Sequence, residues 1–252
     1  MKNCKIISTC FNDNREIREQ TTFCGIPSGL YNHSQKFPTK ESVLNLIKLN
    51  VEQELTVDAG LEVDTIIINN DTGWIEGNNF LNSLHNTTTK NGKLLIEHRK
   101  NFGRAFGGYN YAFEKYKNIY DNWIFTEDDV LINSKIYYKK LLEEYNTFDR
   151  IGCLAIIGYN FENFRGQVGS EFMHAHGSVG LYKKNILEKI YAINNGSLPH
   201  VKEHESQNYA NQIEFGEIKF SNTVKKINLD IIKSMHKTYN FAYDFIRNIN
   251  IS

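Results

Sequence analysis

The segment DTIIINND (64–71) limits the fold more than any other stretch of this chain. Ile66, Ile67 and Ile68 follow one another without polar alternation, and the run closes on Asn69, Asn70 and Asp71. A strand with one wet face alternates apolar and polar residues, whereas an unbroken β-branched run needs cover on both faces, as in a parallel sheet. KIIST (5–9), KLLIEH (93–98), NWIFT (122–126) and IGCLAIIGY (151–159) read as strands of the same kind. Helical spacing fills the gaps between them. Thr39 is placed as an N-cap with Glu41 in the first turn, followed by Val43, Leu44, Ile47, Val51 and Leu55, and Gly60 closes the helix. Phe102, Phe106, Tyr109, Phe113, Tyr116 and Tyr120 recur at steps of three and four, which makes them core aromatics of a second helix. Ser134 is expected to cap a third, carrying Ile136, Tyr137, Leu141 and Tyr145. This alternation predicts an α/β fold, a three-layer sandwich around a mainly parallel sheet, in a single domain over 1–252.

In such sheets ligands bind beyond the C-terminal ends of the strands. Polar residues gather at three of those ends: Thr9 to Asn12, Asn69 to Asp71, and Glu127 to Asp129. The last cluster sets three carboxylates side by side, and burying like charges without compensation is costly. Carboxylates around a shared space suit a hard divalent cation, Mn2+ or Mg2+, which keeps waters and takes other oxygens from phosphates. On an extended chain Glu127 and Asp129 would point the same way. The plainer alternative is that Asp128 or Asp129 only starts the turn towards Ser134. A second constellation is HRKNFGRAFGGYN (98–110), where Gly103, Gly107 and Gly108 lie on or before the aromatic helix. Each glycine costs a helix about 1 kcal/mol against alanine, so close approach of a ligand or of another backbone is expected there. Arg99, Lys100 and Arg104 add positive charge near that helix N-terminus, which itself favours anions. The spacing is neither G-x-G-x-x-G nor a Walker motif.

Lys+Arg and Asp+Glu are both 29, so formal net charge is zero, which argues against a nucleic-acid partner. The cysteines at 4, 10, 24 and 153 form no C-x-x-C pair and read as reduced thiols. With no apolar run long enough for a signal peptide or a membrane span, a cytoplasmic location is expected.

Taken in order from about residue 4 to 236, these segments resemble the GT-A glycosyltransferases, in particular the large inverting nucleotide-sugar transferase family (family 2). IISTCFNDN is similar to the first strand and nucleotide-binding turn of that family, DTIIINNDTG to the second strand, and RKNFGRAFGGYNYAF to its N-x-G-x-x-x-(small)-x-N segment. FTEDDV looks like its DxD-type motif. The resemblance implies base contacts from Thr9 and Phe11, and base or ribose contacts from Asn70 and Asp71. It implies donor contacts from Arg99, Asn101, Gly103, Arg104 and Asp128, and metal ligation by Glu127 and Asp129. HAHGSVGLYKKNIL (174–187) resembles the acceptor-side strand, and KEHESQNYANQIEFG (202–216) lies where the family opens a helix with a Glu-Asp pair. Here Glu203, His204 and Glu205 replace that pair, so Glu205 is expected as the general base with Glu203 in reserve. His236 in SMHKT sits where many members complete the metal or diphosphate site, with His174, His176 and His204 as competitors. Residues 1–130 would form the donor half and 131–252 the acceptor half.

The implied activity is metal-dependent transfer of a monosaccharide from a nucleotide-diphosphate sugar, UDP-linked by family default, to an acceptor hydroxyl with inversion. The acceptor would be a glycan, a lipid-linked sugar or a protein. The C-terminal aromatics and Lys/Arg leave room for peripheral membrane contact. The long polar segment 12–40 departs from the family pattern; its Arg15, Arg18 and Tyr31 are expected to fold over the nucleotide or to line an acceptor pocket. Two alternatives stand beside this reading. A nucleotidyltransferase would carry a glycine-rich basic loop after the first strand, and STCFNDN has neither glycine nor Lys/Arg before Arg15. A non-catalytic nucleotide- or sugar-binding module would keep the sheet without a base.

Overall fold

The computed structural model describes residues 1–12, 39–160, 173–208 and 211–242. Arg15, Arg18 and Tyr31 lie outside the described residues. In chain order the elements are β1 (Asn3–Thr9), α1 (Lys40–Thr56), β2 (Asp64–Asp71), α2 (Ile75–Ser83), β3 (Thr87–Thr88), β4 (Lys93–Lys100), α3 (Arg104–Tyr116), β5 (Asn122–Glu127), β6 (Val130–Ile132) and α4 (Tyr137–Tyr145). They continue with β7 (Ile151–Ala155), β8 (Gly158–Asn160), β9 (Met173–Ala175), β10 (Gly180–Lys183), α5 (Lys184–Ile193), a π-helical segment (Gln212–Ile218), α6 (Lys219–Lys226), β11 (Asp230–Lys233) and β12 (Tyr239–Phe241).

Eight strands form one sheet in the order β3-β4-β2-β1-β5-β10-β7-β11. β4, β2, β1 and β5 are mutually parallel, and β10 runs antiparallel between β5 and β7. The expected three-layer α/β sandwich is present. One face buries Ile7, Ile67, Ile96, Ile124 and Leu181 under α1, α2 and α4. The other buries Ile6, Ile68, Trp123, Phe125 and Tyr182 under α3, α5 and α6. Aromatics dominate that second face: Tyr109 stacks on Phe125 at 4.5 Å, and Phe113 meets Trp123 edge-on at 5.4 Å. Full burial of one such side chain stabilises by about 2–3 kcal/mol, so the periodic aromatics of α3 are its anchor.

Local chemistry sets the helix ends. Thr39 caps α1 through a capping box, its hydroxyl accepting from the Ser42 N–H while the Ser42 hydroxyl accepts from the Thr39 N–H. α3 starts at Arg104, after Gly103 at φ +66. Phe102 and Tyr120 flank that helix rather than belong to it. The cap expected at Ser134 is corrected: α4 begins at Tyr137, and Ile136 precedes it in a left-handed conformation. The Ile136 N–H donates to the Asp58 carbonyl at 2.6 Å, which draws the chain back to the α1–β2 connection before the helix can start. The expected strand 151–159 also divides, into β7 and β8: β7 ends in the main sheet at Ala155, and β8 pairs with β9 in a separate two-stranded sheet.

Candidate functional site

The strand order reverses between β1 and β5, which opens a crevice beyond their C-terminal ends. Pairing register sorts the polar residues there by face. Thr9, Asn69 and His98 are laterally paired and share the face of α1 and α2. Ser8 pairs with Glu127, and Asn70 with Arg99, on the face of α3.

The acidic turn divides along the same line. The extended strand ends at Glu127, and Asp128 and Asp129 form the turn into β6, so the expectation that Glu127 and Asp129 point the same way along an extended chain is corrected. Asp128 is fully buried. Its carboxylate accepts from the Thr9 hydroxyl at 2.6 Å, its N–H donates to the Ser8 carbonyl at 3.2 Å, and its own carbonyl accepts from Asn50 of α1 at 2.6 Å. Asp128 and Thr9 therefore lock the turn to β1. Glu127 and Asp129 are half-buried on either side of it. β12 pairs with β6, and the Ala242 N–H donates to the Asp129 carbonyl at 2.7 Å, so the turn is held from above as well.

Asn70 bridges the strands on the α3 face. Its amide nitrogen donates to Ser8 Oγ at 3.0 Å and to the Thr9 carbonyl at 2.9 Å, and its oxygen accepts from Arg99. Arg99 also donates to the Phe102 carbonyl at 2.9 Å and lies 4.2 Å over the Phe102 ring. Burial lowers its guanidinium to about 10, which still leaves it charged at neutral pH. α3 approaches this row closely: a Cβ on Gly108 would come within 2.6 Å of Ser8 Oγ. The close approach expected of these glycines is therefore made by protein atoms. Asp71 accepts from Asn78 at 2.9 Å and from the Gly73 N–H at 2.8 Å, and the Asn78 bond is the first cause holding its carboxyl below the usual range. The Phe11 ring is buried, edge-on to Trp74 at 5.3 Å and against Gly77, so it supports the base of the crevice. Asn101 donates to Cys10 Sγ at 3.3 Å, and Arg104 is exposed at φ +44.

The residues expected from the acceptor half separate into two places. Glu203 pairs with Lys100, and Glu205 accepts from the Lys202 N–H at 2.6 Å, both in a loop that seats on the start of α3 through Gln207 and Gly103 (2.7 Å). His236 is exposed after β11, which β10 and β7 separate from β5, and its N–H donates to Ser234 Oγ at 3.1 Å.

The acidic turn is met instead by Glu217, which the sequence reading missed. It lies in the π-helical segment, where Gly216 packs against the Phe106 ring so tightly that a Cβ would come within 2.3 Å. π-helical turns are rare and are often found at functional sites. Glu217 is buried, hydrogen-bonded to His174, and 3.7 Å from the half-exposed His176. Burial pushes its carboxyl up, but the His174 bond, the nearby histidine charges and the Gly177 N–H outweigh that and hold it below the usual range. Gly177 lies between the two carboxylates: Glu127 Oε1 is 2.5 Å from where its Cβ would be, and the preceding His176 is 3.7 Å from Glu217. Gly177 has φ +56, so a side chain there would be strained as well as in collision. The buried Tyr109 hydroxyl has no hydrogen-bond partner among the described residues, and burial followed by Glu127, Asp129, Asp128 and Glu217 raises its pKa well above normal. The spacing of His174 and His176 was the one linear sign of this centre. Their carboxylate partner is 43 residues away from His174.

Among the described residues no three His, Cys, Asp or Glu side chains converge as a complete metal cage. Glu127 and Asp129 fit a cation of the Mg2+ type, which needs only one or two carboxylates beside water and phosphate. Among the described residues no helix is long and apolar enough to cross a membrane.

No protein-family model matches the chain, and no curated protein matches its sequence. The whole chain aligns with 94% of a Bacillus anthracis protein assigned as a glucose-1-phosphate thymidylyltransferase, in complex with a sucrose, at TM-score 0.51 and 12% identity. It aligns with 65% of S. aureus TarS residues 1–349 at TM-score 0.49 and 14% identity. The first likeness is one of fold, and with the strand order it establishes a mixed α/β, Rossmann-like sheet whose carboxylate turn stands at the C-terminal edge of the parallel strands.

Proposed function

We propose that the chain is a metal-dependent glycosyltransferase that moves a monosaccharide from a nucleotide-diphosphate sugar, UDP-linked by preference, to an acceptor hydroxyl with inversion. The observation that carries this reading is that half-buried Glu127, on the turn after β5, lies against Gly177, whose neighbour His176 is 3.7 Å from buried Glu217 of the acceptor half. Glu127 and Asp129 would hold Mn2+ or Mg2+, which when bound supplies positive charge to the diphosphate. Asp128 and Thr9 keep that turn in place. Asp71 and the β2–α2 connection present acceptors to a base or ribose, with Asn70 and Arg99 fixing the strand ends beneath. Glu217 takes the acceptor proton, and half-exposed His176, 3.7 Å away, carries its contact toward solvent. Glu205 and Glu203 are engaged with Lys202 and Lys100, so we assign them to shaping the loop rather than to the base.

The test is donor turnover with a panel of nucleotide sugars, read as nucleoside diphosphate release with and without Mn2+. Glu217→Gln is expected to cut turnover about 100-fold or more while UDP binding is kept, the usual range for a lost general base. Full turnover in Glu217→Gln would remove the assignment. A second reading, nucleotidyl transfer, draws on the likeness to the protein assigned as a thymidylyltransferase. It predicts pyrophosphate release from a nucleoside triphosphate and a sugar 1-phosphate, which the same panel distinguishes. A binding module would release neither product.

A further inference from the structure

An amide relay crosses the α2 face of the crevice. The Asp71 carboxylate can only accept, so Asn78 must turn its NH2 to it, at 2.9 Å. Asn78 Oδ1 then faces Asn69, which donates from Nδ2 at 2.7 Å. The same Asn69 Nδ2 lies 3.0 Å from His98 Nδ1, so that ring nitrogen is the acceptor and must be bare. His98 Nε2 lies 2.9 Å from Asn82 Oδ1 and carries the hydrogen. Donation thus runs outward from the Asn69 NH2 in both directions, through Asn78 to Asp71 and through His98 to Asn82, and it fixes the imidazole tautomer. Asn69 is fully buried, and its Oδ1 has no hydrogen-bond partner among the described residues. An orphaned buried acceptor is costly, so this orientation is held against a penalty.

We propose that His98 is a positioning residue for Asp71: as a neutral Nε2–H imidazole it holds, through Asn69 and Asn78, the carboxylate orientation used by a bound nucleotide. The proposal rests on reading the crevice as a nucleotide site. A proton on Nδ1 would confront the Asn69 NH2. Turning Asn69 over would set its oxygen against Asn78 Oδ1, and turning Asn78 in response would set an oxygen against Asp71. Charging His98 therefore detaches Asn78 from Asp71 and leaves the Gly73 N–H, 2.8 Å away, as the remaining donor of that pair. Asp71, from β2, is the charged group facing His98. From α2 the contacts are amides, and its Glu76 is exposed. On β4 itself, Glu97 is bonded to residues of α3 and Arg99 to Asn70 and Phe102, on the other face. His85 accepts from the Ile96 N–H at 3.0 Å on the near face.

Nitrogen-15 NMR of the histidine rings in the full chain, with UDP affinity measured from pH 8 to 5.5, tests the relay. The expected result is the Nε2–H tautomer of His98 at pH 8, and a Gly73 amide signal that shifts with His98 titration. UDP affinity should fall by up to tenfold per pH unit as the ring charges, the limit for one linked proton. His98→Asn keeps an acceptor towards Asn69 that takes no proton, and should remove this component of the decline. The nucleotide's own titration is common to both proteins and cancels. An Nδ1–H tautomer, a Gly73 amide indifferent to His98, or an unchanged decline in His98→Asn would overturn the proposal. If no nucleotide binds at any pH the functional reading fails, and the ring and Gly73 signals still decide the relay.

Discussion

Lys5 has no accessible surface, lies in the middle of the sandwich, and gives the sharpest test of how this sheet is held. Its ammonium lies 2.6 Å from Glu54 Oε1 of α1, and Glu54 Oε2 accepts from Thr65 of β2 at 2.7 Å. The rings of Tyr137 and Tyr239 stand 5.7 and 5.2 Å from the same nitrogen, so one cation joins β1, α1, α4 and β12. Replacing Lys5 by methionine keeps the stem and strands a carboxylate in the core. Breaking a buried pair from one side costs about 3–5 kcal/mol. For a chain of 252 residues, each kcal/mol moves Tm by about 2–4 °C, so Lys5→Met should melt about 6–20 °C lower. Lys5→Met with Glu54→Leu removes both charges and leaves the Thr65 hydroxyl without its acceptor, a residual cost of about 1 kcal/mol. Urea unfolding of the two variants and the wild type reads both differences. A single variant that loses less than about 1 kcal/mol, or a double variant no more stable than the single, would refute the reasoning.

The acidic turn should separate by role: Asp129→Ala and Glu127→Ala are expected to abolish Mn2+-dependent UDP binding in calorimetry with little change in Tm. Asp128→Ala instead strips the buried Thr9 hydroxyl of its acceptor and should lower stability by about 1–3 kcal/mol, read in the same urea titration. His200 is buried, and burial, followed by the charges of Lys202 and Arg99, lowers its pKa to about 4 against the upward pull of the Leu198 carbonyl. The unfolded chain binds this proton first, so stability contributed by neutral His200 is complete above about pH 6.5 and is lost as pH falls towards 4. The loss should reach roughly 2–4 kcal/mol by pH 4, and His200→Asn should flatten that part of the stability–pH curve.

Much of the architecture was legible in the linear pattern. The unbroken run at Ile66–Ile68 demanded a strand covered on both faces, and both faces of β2 are buried. The three- and four-residue spacing of Phe106, Tyr109 and Phe113 demanded a helix with one apolar face, and those rings fill the core beneath α3. Thr39 behaved as the cap it resembles because capping is decided within four residues. Ser134 did not, because the Ile136 N–H is held by Asp58, a contact no local pattern contains.

The site was legible only as a location. Three polar strand ends in a parallel sheet imply one edge, since strand period and direction are local properties. Which side chains meet at that edge depends on strand order, lateral register and the path of the chain between strands, and these are settled by packing among residues far apart in sequence. The register that pairs Ser8 with Glu127 puts Glu127 on the α3 face and Asp128 under α1, a division no reading of three adjacent carboxylates could make. The contact of Gly216 with Phe106 brings Glu217 to His174, whereas Glu205, closer to the expected motif, turns back on Lys202. Lys5 shows the same limit from the other side. A lysine at the start of a strand reads as a solvated end, and only the tertiary structure, by bringing Glu54 within 2.6 Å, made it part of the core.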